Sequence, residues 1–201
     1  FNLLDRFLVM MEYQKVSVAI CFNKTDLVTE EELHAFADIY TACGYHTLFA
    51  SAKEEQGVDG LLELLKGKTA AVAGPSGVGK SSLVNRLQPN ITMQTGEVSR
   101  KIERGRHTTR HSEIIPIGGD TYIMDTPGFS TLYIPGMEKE DLKEFYPEFG
   151  RWEPYCRFKG CNHISEPDCG VKQGLEEGSI SLLRYENYKL LYEELKSVRK
   201  Y

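Results

Sequence analysis

"TAAVAGPSGVGKSSLVNRL", residues 69–87, decides the fold. A short β-prone run leads into a glycine-rich turn, and the turn leads into apolar residues at helical spacing. Gly74 to Ser81 fits G-x-x-x-x-G-K-[ST] without a gap. The residue types follow from what such a loop must hold. Glycines let successive backbone N–H groups turn inward around phosphate oxygens, and the following helix points its positive end at the same charge. Gly74, Pro75, Ser76, Gly77, Val78 and Gly79 form the expected cradle. Lys80 is placed to reach the β- and γ-phosphates, and the Ser81 hydroxyl to ligate Mg²⁺. Ser82 completes the nucleotide-binding set in the first helical turn.

Two further stretches belong to the same chemistry. "TYIMDTPG", residues 121–128, ends an apolar strand at Asp125, which suits an acid holding Mg²⁺ through water. Gly128 can offer a backbone N–H to the γ-phosphate. Upstream, "FNKTDL" at 22–27 follows another apolar strand. The Asp26 carboxylate can accept from guanine N1–H and the 2-amino group together, and adenine would leave that acid unpaired. Lys24 can lay its stem along the base, and Asn23 can tie neighbouring loops. Ser51, Ala52 and Lys53 follow the next strand and add a backbone contact to the guanine oxygen.

Between the phosphate loop and Asp125 lies "RGRHTTRH", residues 104–111. A threonine here is expected to cover Mg²⁺ only when the γ-phosphate is present. Thr108 and Thr109 compete for that role, and Thr109, just before a basic residue, is favoured. Phe129 stands where many GTPases place a water-orienting Gln, and Phe cannot orient water by hydrogen bonding. His107 is the candidate for that catalytic task, set against its reading as a solvent-facing loop histidine.

Outside these motifs, residues 3–14 and 30–43 carry helical spacing, with Thr29 a possible N-cap. "VSVAICF" (16–22), "HTLFA" (46–50), "TAAVA", "HSEIIPI" (111–117) and "TYIMD" read as strands, and the GGD between the last two signals a hairpin. Strands alternating with helices imply an α/β fold with a mostly parallel sheet flanked by helices. The texture changes after about Ile134, which sets domains at 1–134 and 135–201. The second ends in an amphipathic helix over 179–200, with Tyr188, Leu191, Tyr192 and Leu195 on one face.

That second region holds Cys156, Cys161, His163 and Cys169, three thiolates and an imidazole within one short stretch. Cys₃His is a common tetrahedral set for structural zinc. The residues between are turn formers with few core candidates, so metal is expected to supply missing folding free energy. The expected C-terminal domain is therefore small, mainly helical and zinc-binding. Cys21 and Cys43 read as inert thiols.

The guanine readers precede the phosphate loop, the reverse of an ordinary GTP-binding domain. A circular permutation accounts for this. It also runs the chain from "DTPGF" straight into the C-terminal domain, which makes that domain a possible readout of nucleotide state. With this order the chain resembles the RsgA/YjeQ/YloQ family of circularly permuted, ribosome-dependent GTPases. The resemblance is carried by "LLDRFLV", "NKTDL", "SAK", "GPSGVGKSSL", "GEVS", "GRHTTRH", "DTPGF", the Cys/His cluster and "RYENYKLLYEEL". It implies a GTPase acting in late maturation of the small ribosomal subunit, stimulated by that subunit and touching its rRNA. It also implies an N-terminal RNA-binding OB-fold domain. The chain begins on Phe1 rather than Met, so it is expected to be a fragment lacking that region.

Bulk properties narrow the alternatives. A net charge of −5 over 201 residues does not fit a generally basic nucleic-acid binder. Arg100 to His111, with five Arg or Lys against one Glu, is the one local basic candidate, unless it is simply a solvated loop. An odd cysteine count with no secretion signal or long apolar run points to a reducing compartment, the cytoplasm, and to no membrane. A monomer is expected. Two other functions stay open on the residues alone. One is a nucleotide-gated RNA- or protein-binding module with negligible hydrolysis. The other is a P-loop ATPase or kinase, for which the NKTD match would be accidental.

Overall fold

The computed structural model describes residues 2–88, 113–125, 132, 134 and 136–197. Helix α1 (Asn2–Tyr13) leads to β1 (Ala19–Asn23), α2 (Glu30–Ala42), β2 (His46–Ala50), α3 (Val58–Leu65), β3 (Thr69–Val72) and α4 (Lys80–Leu87). Then come the hairpin strands β4 (Glu113–Gly118) and β5 (Thr121–Asp125), three short 3-10 turns, α5 (Gly170–Glu176) and α6 (Leu182–Ser197). The chain divides into two compact units that are discontinuous in sequence.

One unit comprises Cys21–Leu33 and Leu48–Ser130. Its sheet runs β3-β5-β4, with β3 and β5 parallel and β4 antiparallel at the edge. Alternation sets the buried face: Ile115, Ile117, Thr121 and Ile123 point inward, while Ile114 and Tyr122 point out. Leu61 of α3 and Leu83, Val84 and Leu87 of α4 pack on that inner face. The register places Val72, just before the phosphate loop, beside Asp125. Loop ends therefore gather at one end of the parallel pair, where α/β sheets place their ligands.

The other unit comprises Phe1–Ile20, His34–Thr47 and Thr131–Tyr201. Its core joins Val9 of α1 to Leu142, Tyr146, Phe149, Val171, Ile180, Tyr188 and Leu191. The region after Ile134 thus shares a core with the N-terminal helix, a grouping that the sequence boundary near that residue does not draw. The reason is polar. Asp5 and Arg184 are both fully buried and pair at 2.7 Å, and the second Asp5 oxygen accepts from Asn187 Nδ2 at 2.5 Å. Arg184 also donates to Glu148 at 2.8 Å and lies over the rings of Tyr40, Tyr45 and Tyr146.

The helix ends have local causes. Thr29 Oγ1 accepts from Glu32 N–H while Glu32 accepts from Thr29 N–H, a reciprocal capping box that starts α2. The expected strand over 16–22 narrows to β1 because Lys15, at φ 56°, closes α1. Val16 N–H bonds Met11 O and Lys15 N–H bonds Glu12 O, which takes Val16 out of the sheet. Strands 46–50 and 121–125 match their expected limits, and α6 is shorter than expected at its start because Leu182, not Ser179, opens it. No helix among the described residues is long and apolar enough to cross a membrane.

Candidate nucleotide site and metal centre

The phosphate loop leaves β3 and enters α4. Its glycines occupy conformations that other residues avoid: Gly77 has φ 82° and Gly79, the residue before α4, φ 91°. A Cβ on Gly79 would stand 2.5 Å from Asn23 Nδ2, so the close approach of two loops requires glycine there. Lys80 folds back over the loop, donating to Gly74 O at 2.7 Å and Pro75 O at 2.8 Å. The ammonium thus spans the concavity that the loop's backbone forms. Ser81 and Ser82 lie exposed in the first turn of α4.

Three strand-end loops meet at this point. Asn23 Nδ2 donates to Val78 O at 2.9 Å, and Asn23 Oδ1 accepts from Ala52 N–H at 3.2 Å. Lys24, in a left-handed conformation at φ 68°, donates to Gly77 O at 2.7 Å. Ser51 Oγ donates to Asp26 Oδ1 at 2.7 Å, and the Lys53 ammonium lies 3.6 Å from Asp26 Oδ2. The hydroxyl, helped by Lys53 and against the opposite pull of desolvation, holds the Asp26 carboxyl below its ordinary range. An ionised acid with one oxygen fixed by Ser51 is an acceptor pair presented in a set orientation. Asn23, Lys24, Asp26, Ser51, Ala52, Lys53 and the loop from Gly74 to Lys80 are thus brought together.

Asp125 ends β5 opposite Val72, in line with its sequence reading as a strand-end residue. His107, Thr108, Thr109, Gly128 and Phe129, with the whole basic stretch from Arg100 to His111, lie outside the described residues.

The second cluster is Cys156, Cys161, His163 and Cys169, whose ligand atoms all lie within 4.8 Å of one another. His163 Nδ1 stands 3.6 Å from Cys156 Sγ and 3.3 Å from Cys169 Sγ, and the latter two sulfurs are 3.9 Å apart. A tetrahedral zinc with ordinary bond lengths sets its sulfurs about 3.8 Å apart and sulfur to nitrogen about 3.6 Å. The donor set fits that ion. Burial pushes the Cys161 thiol up to about 12, with Cys169 beside it adding to the effect, so these thiols need a cation to ionise. Burial keeps His163 neutral, with a lone pair to give. Its Nδ1 is the atom that faces the Cys156 and Cys169 sulfurs and so is the ligand atom, while its Nε2 is buried with no hydrogen-bond partner among the described residues.

Sequence reasoning missed the groups that hold this cluster in place. Glu166 accepts from the backbone N–H groups of Asn162, Ile164 and Ser165 at 2.8–3.0 Å and so shapes the loop between the last ligands. Tyr185 and Tyr188 donate to His163 O and Asn162 O at 2.7 and 2.6 Å. Gly170 N–H donates to Cys156 Sγ at 3.3 Å. An acid between two turn formers and tyrosines at helical spacing were the available signals, but neither marks a role without the fold. The thiols read as inert fit that reading: burial raises Cys21 to about 11 and Cys43 to about 12.

Comparison with known proteins points to one family. The RsgA GTPase family matches residues 1–135. The small ribosomal subunit biogenesis GTPase RsgA of Agathobacter rectalis is 63% identical over 201 residues, 100% of this chain and 67% of the relative. That of Alkaliphilus metalliredigens is 44% identical over 200 residues, 100% of this chain and 68% of the relative. The crystal structure of YjeQ from Thermotoga maritima superposes with a TM-score of 0.80 at 38% identity, over 98% of this chain and 66% of that one. YloQ, a circularly permuted GTPase, gives 0.77 at 33%, over 100% and 64%. The chain spans about two thirds of the length of the proteins it matches. Its NKTD stretch precedes its phosphate loop, the order expected of a circularly permuted GTPase, and the chain belongs to the RsgA GTPase family.

Proposed function

We propose that this chain hydrolyses GTP to GDP and phosphate during maturation of the small ribosomal subunit, and that the bound nucleotide controls docking on the subunit and release from it. One observation carries the nucleotide part. Asn23 bridges Ala52 N–H and Val78 C=O, so the guanine readers and the phosphate loop form one site despite their reversed order. The ribosomal part rests on the names of the relatives, which are small ribosomal subunit biogenesis GTPases.

The roles follow from chemistry at each position. Asp26 accepts from the guanine edge, Lys24 packs along the base, and Ala52 and Lys53 contribute from the adjoining turn. The backbone from Gly74 to Gly79 wraps the phosphates, and Lys80 exchanges its loop carbonyls for phosphate oxygens. Ser81, Asp125 and Thr109 would hold Mg²⁺ beside the phosphates. Mg²⁺, when bound, neutralises charge developing on the β- and γ-phosphates. Gly128 donates to the γ-phosphate and His107 orients the attacking water, the task that Phe129 cannot perform. Cys156, Cys161, His163 and Cys169 would hold a structural zinc, a set of four protein ligands that suits a structural role. The protein acts as a cytoplasmic monomer, with rRNA of the subunit as its contact.

Steady-state GTP hydrolysis with and without purified small subunits tests this, on this chain and on a full-length relative. Stimulation of at least about tenfold, lost in Ser81→Ala and His107→Ala, is expected. Absence of stimulation where the full-length relative is stimulated would overturn the ribosomal reading for this chain, and binding of ADP in preference to GDP would overturn the nucleotide reading.

A further inference from the structure

We infer that Arg86 is a positioning residue for guanine recognition, acting as a clamp between the phosphate-loop helix and the turn that carries Ser51 and Ala52. The inference rests on the guanine-nucleotide reading above.

Arg86 lies six residues beyond Lys80 on α4, about 9 Å along the helix, too far down to serve the phosphates. Its guanidinium turns instead to the neighbouring turn. Nε donates to Ala52 O at 3.0 Å, and Nη1 pairs with Glu55. The Ala52 peptide groups are thus held on both sides, N–H by Asn23 and C=O by Arg86. The turn itself is closed by Ser51 and Gln56, which exchange N–H to carbonyl bonds at 3.0 and 3.1 Å. Glu54 N–H donates to Ser51 Oγ at 3.1 Å, the same hydroxyl that fixes Asp26. Glu55 sits within this turn in a left-handed conformation at φ 59°, which a residue with a side chain resists unless something outside holds it. Arg86 supplies that hold.

The clamp needs two N–H groups of one planar fork aimed at a carbonyl and a carboxylate. A lysine ammonium keeps the charge but has no rigid fork. When the clamp is removed, the turn relaxes. Ser51 then no longer fixes Asp26, and the acceptor pair for the guanine edge loses its orientation. Because Arg86 does not reach the phosphates, the chemical step is unaffected.

Stopped-flow release of fluorescently labelled GDP tests this for wild type, Arg86→Lys, Arg86→Ala and Glu55→Gln, together with GTP turnover and the GDP-over-IDP preference. IDP lacks the 2-amino group, so it reports on Asp26. Expected is release faster by about tenfold in both Arg86 variants, the loss of one charge-assisted hydrogen bond. KM should rise with kcat within about twofold, and the GDP-over-IDP preference should narrow. Glu55→Gln should show a smaller effect, since the Glu55 side chain is 65% exposed. Release within twofold of wild type in Arg86→Ala, or full rescue by Lys, overturns the clamp. An unchanged GDP-over-IDP preference with a lowered melting temperature would reduce Arg86 to a stability role and also overturn it. If wild type itself fails to bind labelled GDP, the guanine reading falls and the clamp with it.

Discussion

Gly79 and Ser51 show how single atoms set the site. At Gly79 the φ of 91° and the 2.5 Å approach of Asn23 Nδ2 act together. A methyl group would both strain the backbone and drive Asn23 off Val78 O. Gly79→Ala should weaken GDP binding by well over tenfold while leaving the fold intact, which titration of labelled GDP and a melting curve would show together. Ser51 acts through protonation. Its hydroxyl holds the Asp26 carboxyl below the ordinary range. A depressed carboxylate contributes its stabilisation above its unfolded value and loses it as pH falls through the depressed one. GDP binding by wild type should therefore stay flat as pH falls through the ordinary carboxylate range, about 4, and fail only below it. In Ser51→Ala the acid limb should move to higher pH. Affinity measured from about pH 7 down to about pH 3, below the ordinary carboxylate value, checks the direction, and an unmoved limb would separate Ser51 from Asp26.

The metal cluster is the element with the least core of its own. Its loop is held by Glu166, by two tyrosine hydroxyls and by the packing of α5. Gly174 lets α5 lie against Trp152, since a Cβ there would stand 2.6 Å from the indole. Trp152 is the only tryptophan in the chain, so its emission reports on this element alone. Chelation should release one zinc per chain, shift Trp152 emission to the red and abolish protection of the segment 156–176 in hydrogen exchange. Retained emission after complete chelation would show that the loop folds without metal. Much of this was legible beforehand. Four ligands at tight spacing read as zinc, because few other uses bring three thiols and an imidazole so close in sequence. The strands 46–50 and 121–125 were equally plain from apolar runs bounded by glycine. The start of β1 was not, because Val16 looks β-prone and only the left-handed Lys15 diverts it into a helix stop. Glu166 was not legible either: it works through backbone N–H groups, which leave no trace in residue type.

At the scale of the molecule, the order of the motifs revealed the permuted fold, but how the chain divides into compact units was hidden in two polar residues. Asp5 on α1 and Arg184 on α6 look like surface residues in a one-dimensional reading. Both are fully buried, and they join segments from opposite ends of the sequence. Nothing local announces such a pair, because its partners are fixed by packing and not by spacing. Burial alone would push the Arg184 guanidinium down, and Glu148 and Asp5 together hold it above its ordinary value. A buried pair of this kind need not outweigh a well-packed apolar replacement, but removing one partner strands the others in a dry interior. Arg184→Ala leaves Asp5 and Glu148 without their cation, and Tyr40, Tyr45 and Tyr146 without the group their rings cover. It should cost about 3–5 kcal/mol in denaturant unfolding. Asn187→Ala removes only one donor from Asp5 and should cost about 1–3 kcal/mol. The same network bears on truncation. A chain cut at residue 134 keeps Asp5, Val9, Tyr40 and Tyr45 but loses residues that cover them. Such a fragment should bind a hydrophobic dye and lose exchange protection in α1, whereas the intact chain should do neither. Full protection of α1 in the fragment would mean that the N-terminal helix owes its place to something other than Arg184.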